Sequence, residues 1–228
     1  MIDPEEIVTL QVEAEVWRII PGRYPQISLF ERVSTSDEFD LLYEIESLTN
    51  RRLRDEVGDL AKVAPEDRAF GNGASWIMAA FTHPPQEGQG GRFNKDFGVY
   101  YCAFVESVAI AETLYHRQKF FHDSGVPNET SDMRVLRATV SQSFHDVRPF
   151  EGSEIYDPDD YQHGQLLGAQ LKASKSYGLL YKSVRAEGDC LAVLRPIALS
   201  SAKHIRYLRY HFVEGSEPQV EHLNGSAA

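Results

Sequence analysis

Three side chains sit in settings that suit chemistry. Arg92 lies in Gly90-Gly91-Arg92-Phe93-Asn94, where glycines let a ligand approach the backbone and the planar guanidinium offers a fork of donors suited to phosphate. The plain alternative is a surface arginine paired to one of many acids. Glu112, in Ala109-Ile110-Ala111-Glu112, follows apolar neighbours on a helical stretch, so its carboxylate either faces a partly buried cleft or sits on a solvated face. Ser183, in Tyr181-Lys182-Ser183-Val184-Arg185, lacks the flanking glycines of a nucleophile elbow, and no motif sets a histidine base beside it. It therefore reads as a hydrogen-bonding group, bonded to a ligand or to nearby backbone. Tyr100 and Tyr101 point to opposite faces of a regular strand, so only one of them can line a cleft with these groups.

The elements that would position these side chains follow from periodicity. Residues 12–20 alternate as a strand that stops at Pro21-Gly22, with Arg23 and Tyr24 in the loop beyond. From 37 to 63, Leu41, Ile45, Leu48, Leu53, Val57 and Leu60 recur at helical spacing behind a capping box at Thr35-x-x-Glu38, giving one long helix or two short ones. Glu44, Arg51, Arg52 and Glu56 form its solvated face. Residues 84–98 read as an exposed loop, 99–104 as a buried strand, and 106–121 as a helix whose inner face holds Ala109, Leu114 and Phe120. Beyond these come a strand at 133–142, a helix at 161–174, and strands at 178–184, 189–195 and 204–213. The expected fold class is α+β (mixed α/β), a single domain around one central mixed β-sheet. It spans 1–214 with an additional helical segment near 35–66, and 215–228 reads as a polar, poorly ordered tail.

Composition narrows the function classes. The 228 residues carry 23 Lys plus Arg against 34 Asp plus Glu, a formal charge of −11, which suits neither a nucleic-acid binder nor an RNA-cleaving enzyme with a basic groove. Residues 1–70 hold 16 acids and 8 bases, and residues 71–228 hold 18 and 15, so an anionic ligand is expected in the second segment or at individually placed arginines. No apolar run reaches membrane-spanning length and the first residues are acidic, giving the expectation of a soluble, cytoplasmic chain without a signal peptide. Cys102 and Cys190 alone cannot form a disulfide framework or a cysteine zinc site. Gly71-Asn72-Gly73 and Gly88-Gln89-Gly90-Gly91 complete neither GxGxxG nor a P-loop. HExxH is absent, and Asp157-Pro158-Asp159-Asp160 lacks the rest of a calcium loop, so no metal is expected.

Taken in order, GGRFN, the aromatic strand from Val99 to Ala103, the A-x-A-E turn of helix and the late Gly178-to-Arg185 segment resemble a RES-domain protein, a family named for an arginine, a glutamate and a serine. Trp17-Arg18-Ile19-Ile20 and Arg23-Tyr24 are similar to the family's opening strand and loop. Two departures stand out: the 35–66 stretch exceeds what compact members need, and Phe93 replaces a frequent tryptophan, keeping an aromatic wall. The resemblance implies a fold similar to ADP-ribosyltransferases and a toxin of a bacterial toxin–antitoxin pair. That toxin would consume NAD+ as substrate by breaking its nicotinamide–ribose bond, with no true cofactor and with water or inorganic phosphate as acceptor. In that frame Glu112 stabilises the oxocarbenium-like ribose, Arg92 holds the diphosphate, and Tyr101 stacks on nicotinamide or orients its ribose. Ser183 bonds ribose or nicotinamide, and Arg23 and Tyr24 supply second contacts to phosphate and adenine. The resemblance also implies an Xre-type helix-turn-helix antitoxin as partner, in a homo-oligomer or a hetero-oligomer with it. A segment of that antitoxin, its C-terminal end with a carboxylate, would reach Arg92. Alternatives are transfer of ADP-ribose to a protein, or a non-catalytic interaction module whose acidic N-terminal segment serves a partner.

Overall fold

The computed structural model describes residues 2–22, 29–48, 57–85 and 90–223. Arg23, Tyr24, Arg51, Arg52, Leu53 and Glu56 lie outside the described residues, so their expected placement has no structural counterpart here. Among the described residues the seven strands are β1 (Thr9–Pro21), β2 (Tyr100–Ala103), β3 (Glu129–Asp146), β4 (Gly178–Lys182), β5 (Asp189–Val193), β6 (Leu199–Phe212) and β7 (Gln219–Leu223). Four α-helices accompany them among the described residues: α1 (Ser36–Ser47), α2 (Ala74–Thr82), α3 (Glu106–Asp123) and α4 (Gln162–Ala173).

The strands run in the order β1-β2-β5-β4-β3-β6-β7, and β1 also pairs with β3, so β1, β2, β5, β4 and β3 close on themselves while β6 and β7 extend outward from β3. The β3–β4 pairing is parallel and the others are antiparallel. A parallel pair needs a crossover, and the 147–177 connection supplies one that carries α4. The sheet is mixed, as expected.

Alternate residues of the central strands feed two apolar layers. Tyr100, Cys102, Leu180, Leu191 and Val193 join one layer with α1 and α2. Ala103, Leu179, Tyr181, Cys190 and Ala192 join the other with α3 and α4. A sheet covered on both faces explains why β2, β4 and β5 read as nearly continuous apolar runs.

Several boundaries differ from the sequence reading. β3 extends to Glu129 and Asp146 because β1 and β6 flank it along most of its length. The segment read as a loose tail contributes β7, which pairs with β6 from Gln219 to Leu223. The 37–63 stretch contains most of α1, and half of its capping box forms: the Thr35 hydroxyl accepts from the Glu38 amide, while the Glu38 carboxylate accepts from the Ser34 amide, one residue before the cap. The inner face is reversed. Leu41, Ile45 and Leu48 are exposed at 60, 55 and 81 %, whereas Phe39 is fully buried against Phe30 with ring centroids 4.4 Å apart. An aromatic cluster with Phe70 and Tyr43 claims that face because stacked rings bury more area than a leucine stripe. In α3, Phe121 packs inward on Phe212, and Phe120, expected inside, is exposed.

Helix α2 escaped the sequence reading because it is only nine residues long and buried on nearly every side, so a short apolar run there does not declare itself as helix or strand. Gly73 precedes it in the left-handed region (φ 79°), and a Cβ there would overlap the Ala202 carbonyl of β6. The Gly71-Asn72-Gly73 run thus serves close helix-to-sheet packing.

Candidate active site

A cleft of about 1550 Å³ opens between β1, β2, α2, α3, the 90–95 loop and the 159–165 segment. This exceeds the roughly 300–1,000 Å³ of a drug-sized pocket and leaves room for an extended ligand. Arg92, Tyr101 and Glu112 all line it. Ser183 does not, and its place is behind Glu112.

Ser183 follows β4 and closes a tight loop, its amide donating to the Gly188 carbonyl at 2.9 Å. The Ser183 hydroxyl accepts from the amides of Arg185 (3.0 Å) and Ala186 (3.1 Å) and donates to Glu112 Oε1 at 2.5 Å. One proton and two acceptor sites are thereby committed. The expectation that Ser183 bonds ribose or nicotinamide gives way to a different role: it fixes the Glu112 carboxylate through a short charge-assisted bond. Glu112 itself is half-buried on α3 and faces the cleft.

Arg92 is only 7 % exposed, which overturns the plain reading of a surface arginine. No acid holds it in the bonds described. Its Nη1 donates to the carbonyls of Ile155 (3.0 Å) and Asp157 (2.6 Å), and the guanidinium lies 4.8 Å from the Tyr161 ring centroid. One nitrogen is therefore bound to backbone, and the cation stands at the cleft wall with no ion pair among the described residues, its charge felt by the nearby Asp157 carboxyl.

The loop that carries Arg92 rests on α4 backbone to backbone. A Cβ at Gly164 would overlap the Arg92 carbonyl oxygen, and one at Gly168 would overlap that of Phe93. Gln165, between them, donates to the Gly91 carbonyl at 3.0 Å. The Gly164-x-x-x-Gly168 spacing was the signal for this contact and went unread. Phe93 is fully buried and meets Tyr181 edge-on at 5.0 Å, so it packs beneath the loop and does not form the cleft wall expected of it.

Tyr100 is fully buried in the first apolar layer, while Tyr101 reaches the cleft. The Tyr101 hydroxyl accepts from the Phe93 amide (2.8 Å) and donates to Asn94 Oδ1 (2.7 Å). Burial pushes its hydroxyl well above the ordinary phenol value, against the opposing Phe93 N–H and the Arg92 charge.

Sequence reasoning passed over two further cleft residues. Arg18, on β1, stands 4.4 Å from the Tyr100 ring centroid, and its Nη1 donates at 3.3 Å to the Tyr101 carbonyl. Burial pulls it below its ordinary value, opposed by Tyr100, Cys102 and Tyr101; it stays cationic all the same. His116 lies one helical turn beyond Glu112, between the rings of Tyr115 and Tyr161. It keeps solvent-exposed surface yet is crowded enough that desolvation lowers its pKa, with Glu112 pulling upward and Arg185 and Arg92 downward. Across the mouth, Arg185 stacks on Tyr115 at 3.4 Å and donates to the Pro158 carbonyl, and the Tyr115 hydroxyl donates to Asp159. The Asp157–Asp160 turn is thereby tied to α3. No helix among the described residues is long and apolar enough to cross a membrane.

A family model described as the RES domain matches residues 65–213, beginning after α1. The protein described as "Uncharacterized protein y4oC" of Sinorhizobium fredii (strain NBRC 101917 / NGR234) is 28 % identical over 229 residues, covering 94 % of this chain and 95 % of that one. Among solved structures, a chain of the M. tuberculosis MbcT–MbcA toxin–antitoxin complex aligns with a TM-score of 0.44 at 11 % identity, covering 86 % of each chain.

Proposed function

Since the chain belongs to the RES domain family, we propose that it is the toxin component of a toxin–antitoxin pair and that it degrades NAD+ by cleaving the nicotinamide–ribose bond. The observation that carries this reading is the Glu112 carboxylate, held at the wall of a large cleft by the Ser183 hydroxyl and accompanied by two arginines, Arg92 and Arg18.

The chemistry needs those charges. As the C–N bond breaks, its electron pair leaves with neutral nicotinamide and the ribose becomes oxocarbenium-like. A fixed carboxylate stabilises that positive charge, and Ser183 keeps it from swinging away. Arg92 and Arg18 are the cations available to the diphosphate; Arg92 offers the nitrogens that Ile155 and Asp157 leave free. Water then adds to the ribose carbon and releases a proton, giving ADP-ribose. Inorganic phosphate would give the phosphorylated product in the same cleft. An antitoxin of the Xre type, with a carboxylate directed at Arg92, would close the same entrance and carry any DNA binding.

Purified, partner-free protein incubated with NAD+, with and without phosphate, should release nicotinamide in at least one condition. Folded protein that leaves NAD+ intact in both would overturn the reading. Labelled NAD+ that marks a protein covalently would redirect it to ADP-ribosyl transfer.

A further inference from the structure

We propose that Asn94 is the positioning residue of this site. Together with the Tyr101 hydroxyl it sets the direction in which Arg92 leaves its loop, so that this hydroxyl acts on the loop and not on the substrate. The inference rests on the NAD+-cleavage reading for its kinetic consequences and on the structure alone for the lock itself.

The two backbone amides that flank Arg92 end on one small unit. The Gly91 amide donates to Asn94 Oδ1 at 3.1 Å, and the Phe93 amide donates to the Tyr101 hydroxyl at 2.8 Å. The hydroxyl in turn donates to the same Asn94 Oδ1 at 2.7 Å. On its other side Asn94 Nδ2 donates to the Phe97 carbonyl at 2.6 Å. Asn94 is 3 % exposed, so each bond is made away from competing water, and removing a partner would leave a buried donor or acceptor unmatched.

The inventory of donors and acceptors makes the argument specific. A tyrosine hydroxyl has one proton, and that proton already goes to Asn94. Burial holds the group protonated far above neutral pH, so it neither acts as a base nor offers an anion to the cleft. Oδ1 of Asn94 receives two donors while Nδ2 gives one. Aspartate would lose the donor and bury a charge, and leucine would lose both functions. The turn around Arg92 is closed by a long backbone bond from the Asn94 amide to the Gly91 carbonyl (3.5 Å); the lock adds side-chain restraint to that weak closure, and α4 supports the loop from below.

The proposal has a kinetic signature, because Arg92 is placed to bind and Glu112 to stabilise the reacting centre. Loosening the loop should weaken binding and leave the bond-breaking step alone. Asn94→Ser and Tyr101→Phe should each raise KM for NAD+ by about tenfold and change kcat by less than about twofold. Both should act through Arg92: in the Arg92→Lys background, adding Tyr101→Phe should raise KM by much less than it does in the wild type. A fall in kcat at unchanged KM, or full additivity with Arg92→Lys, would overturn the proposal. Amide hydrogen exchange tests the lock without NAD+: Gly91 and Phe93 should be protected in the wild type and exchange at least about tenfold faster in Tyr101→Phe, while the β3 amides stay protected. Unchanged protection of Gly91 and Phe93 in that folded variant would also overturn the proposal. Wild-type protein that shows the protection but cleaves no NAD+ would refute the function reading and leave the lock standing.

Discussion

The two walls of the cleft are held by different physics. On the Arg92 side, neutral hydrogen bonds and backbone-on-backbone contact fix the loop: Asn94, Tyr101 and Gln165 bond it, and Gly164 and Gly168 let α4 touch it directly. On the Glu112 side, among the described residues, a single hydroxyl, that of Ser183, holds one carboxylate. The first wall spreads its restraint over many contacts and is sensitive to volume. The second concentrates it in one contact and is sensitive to charge. Binding geometry and charge stabilisation can therefore be damaged separately, and each substitution below should move one without the other.

The largest effect is expected at the charge. Glu112→Gln keeps the shape and removes the negative charge, and should lower kcat for nicotinamide release by about 10²–10³-fold with KM little changed. A wild-type plateau in this variant would dissolve the distinction between the walls. Next comes Gly168→Ala, whose methyl group would overlap the Phe93 carbonyl oxygen. Overpacking of this kind costs about 1–3 kcal/mol. Thermal unfolding should show Tm lower by about 2–10 °C, and the surviving enzyme should show raised KM. An unshifted Tm would mean that α4 and the loop separate freely.

Ser183→Ala should lower kcat by about tenfold, since the carboxylate loses the donor that fixes it among the described residues. Ser183→Thr, which restores a hydroxyl, should recover part of that loss. If alanine instead raised KM alone, Ser183 would be touching substrate, as the sequence reading first had it.

The smallest effect concerns the charged brace behind the Arg92 wall. Arg148 Nε donates to Asp146 at 2.8 Å and its Nη1 to Asp189 at 2.6 Å, next to the turn whose carbonyls Arg92 grips. The Arg148 side-chain bonds hold the Asp146 carboxyl below the usual carboxylate range. A depressed folded pKa means stability that is present above the unfolded value near 4 and is lost as pH falls through the lower, folded value. Denaturation midpoints measured below about pH 4 should fall less steeply in Asp146→Asn than in the wild type, by about 1 kcal/mol at most given partial exposure. Parallel curves would show that the brace contributes nothing.

The legible part of the molecule was the part whose period matched its burial. β2, α3, α4 and β4 lie close to their expected spans: the two strands are short apolar runs paired on both edges, and the two helices pack on the sheet they were expected to cover. Arg92, Tyr101 and Glu112 were singled out by the ordered resemblance to the RES-domain family, since loop glycines, strand parity and helical context left a plain alternative open for each, and all three reach one cleft. What stayed hidden depends on distant partners. Helix α2 is short and buried on nearly every side, and α1 turns Phe39 inward because Phe30 and Phe70 wait there. Asn94, Arg18 and the Gly164–Gly168 pair become meaningful only once β1, β2 and α4 are brought together. Ser183 was expected to bond ribose or nicotinamide; that its hydroxyl donates instead to Glu112, 71 positions away in sequence, is a fact of the fold.

The most direct test is calorimetric titration of NAD+ into the Glu112→Gln protein. A binding wall separate from the charged one predicts saturable one-to-one binding without nicotinamide release, weakened at least about tenfold when Arg92→Ala is added. A folded Glu112→Gln protein that no longer binds NAD+, or one whose binding is indifferent to Arg92, would contradict the account.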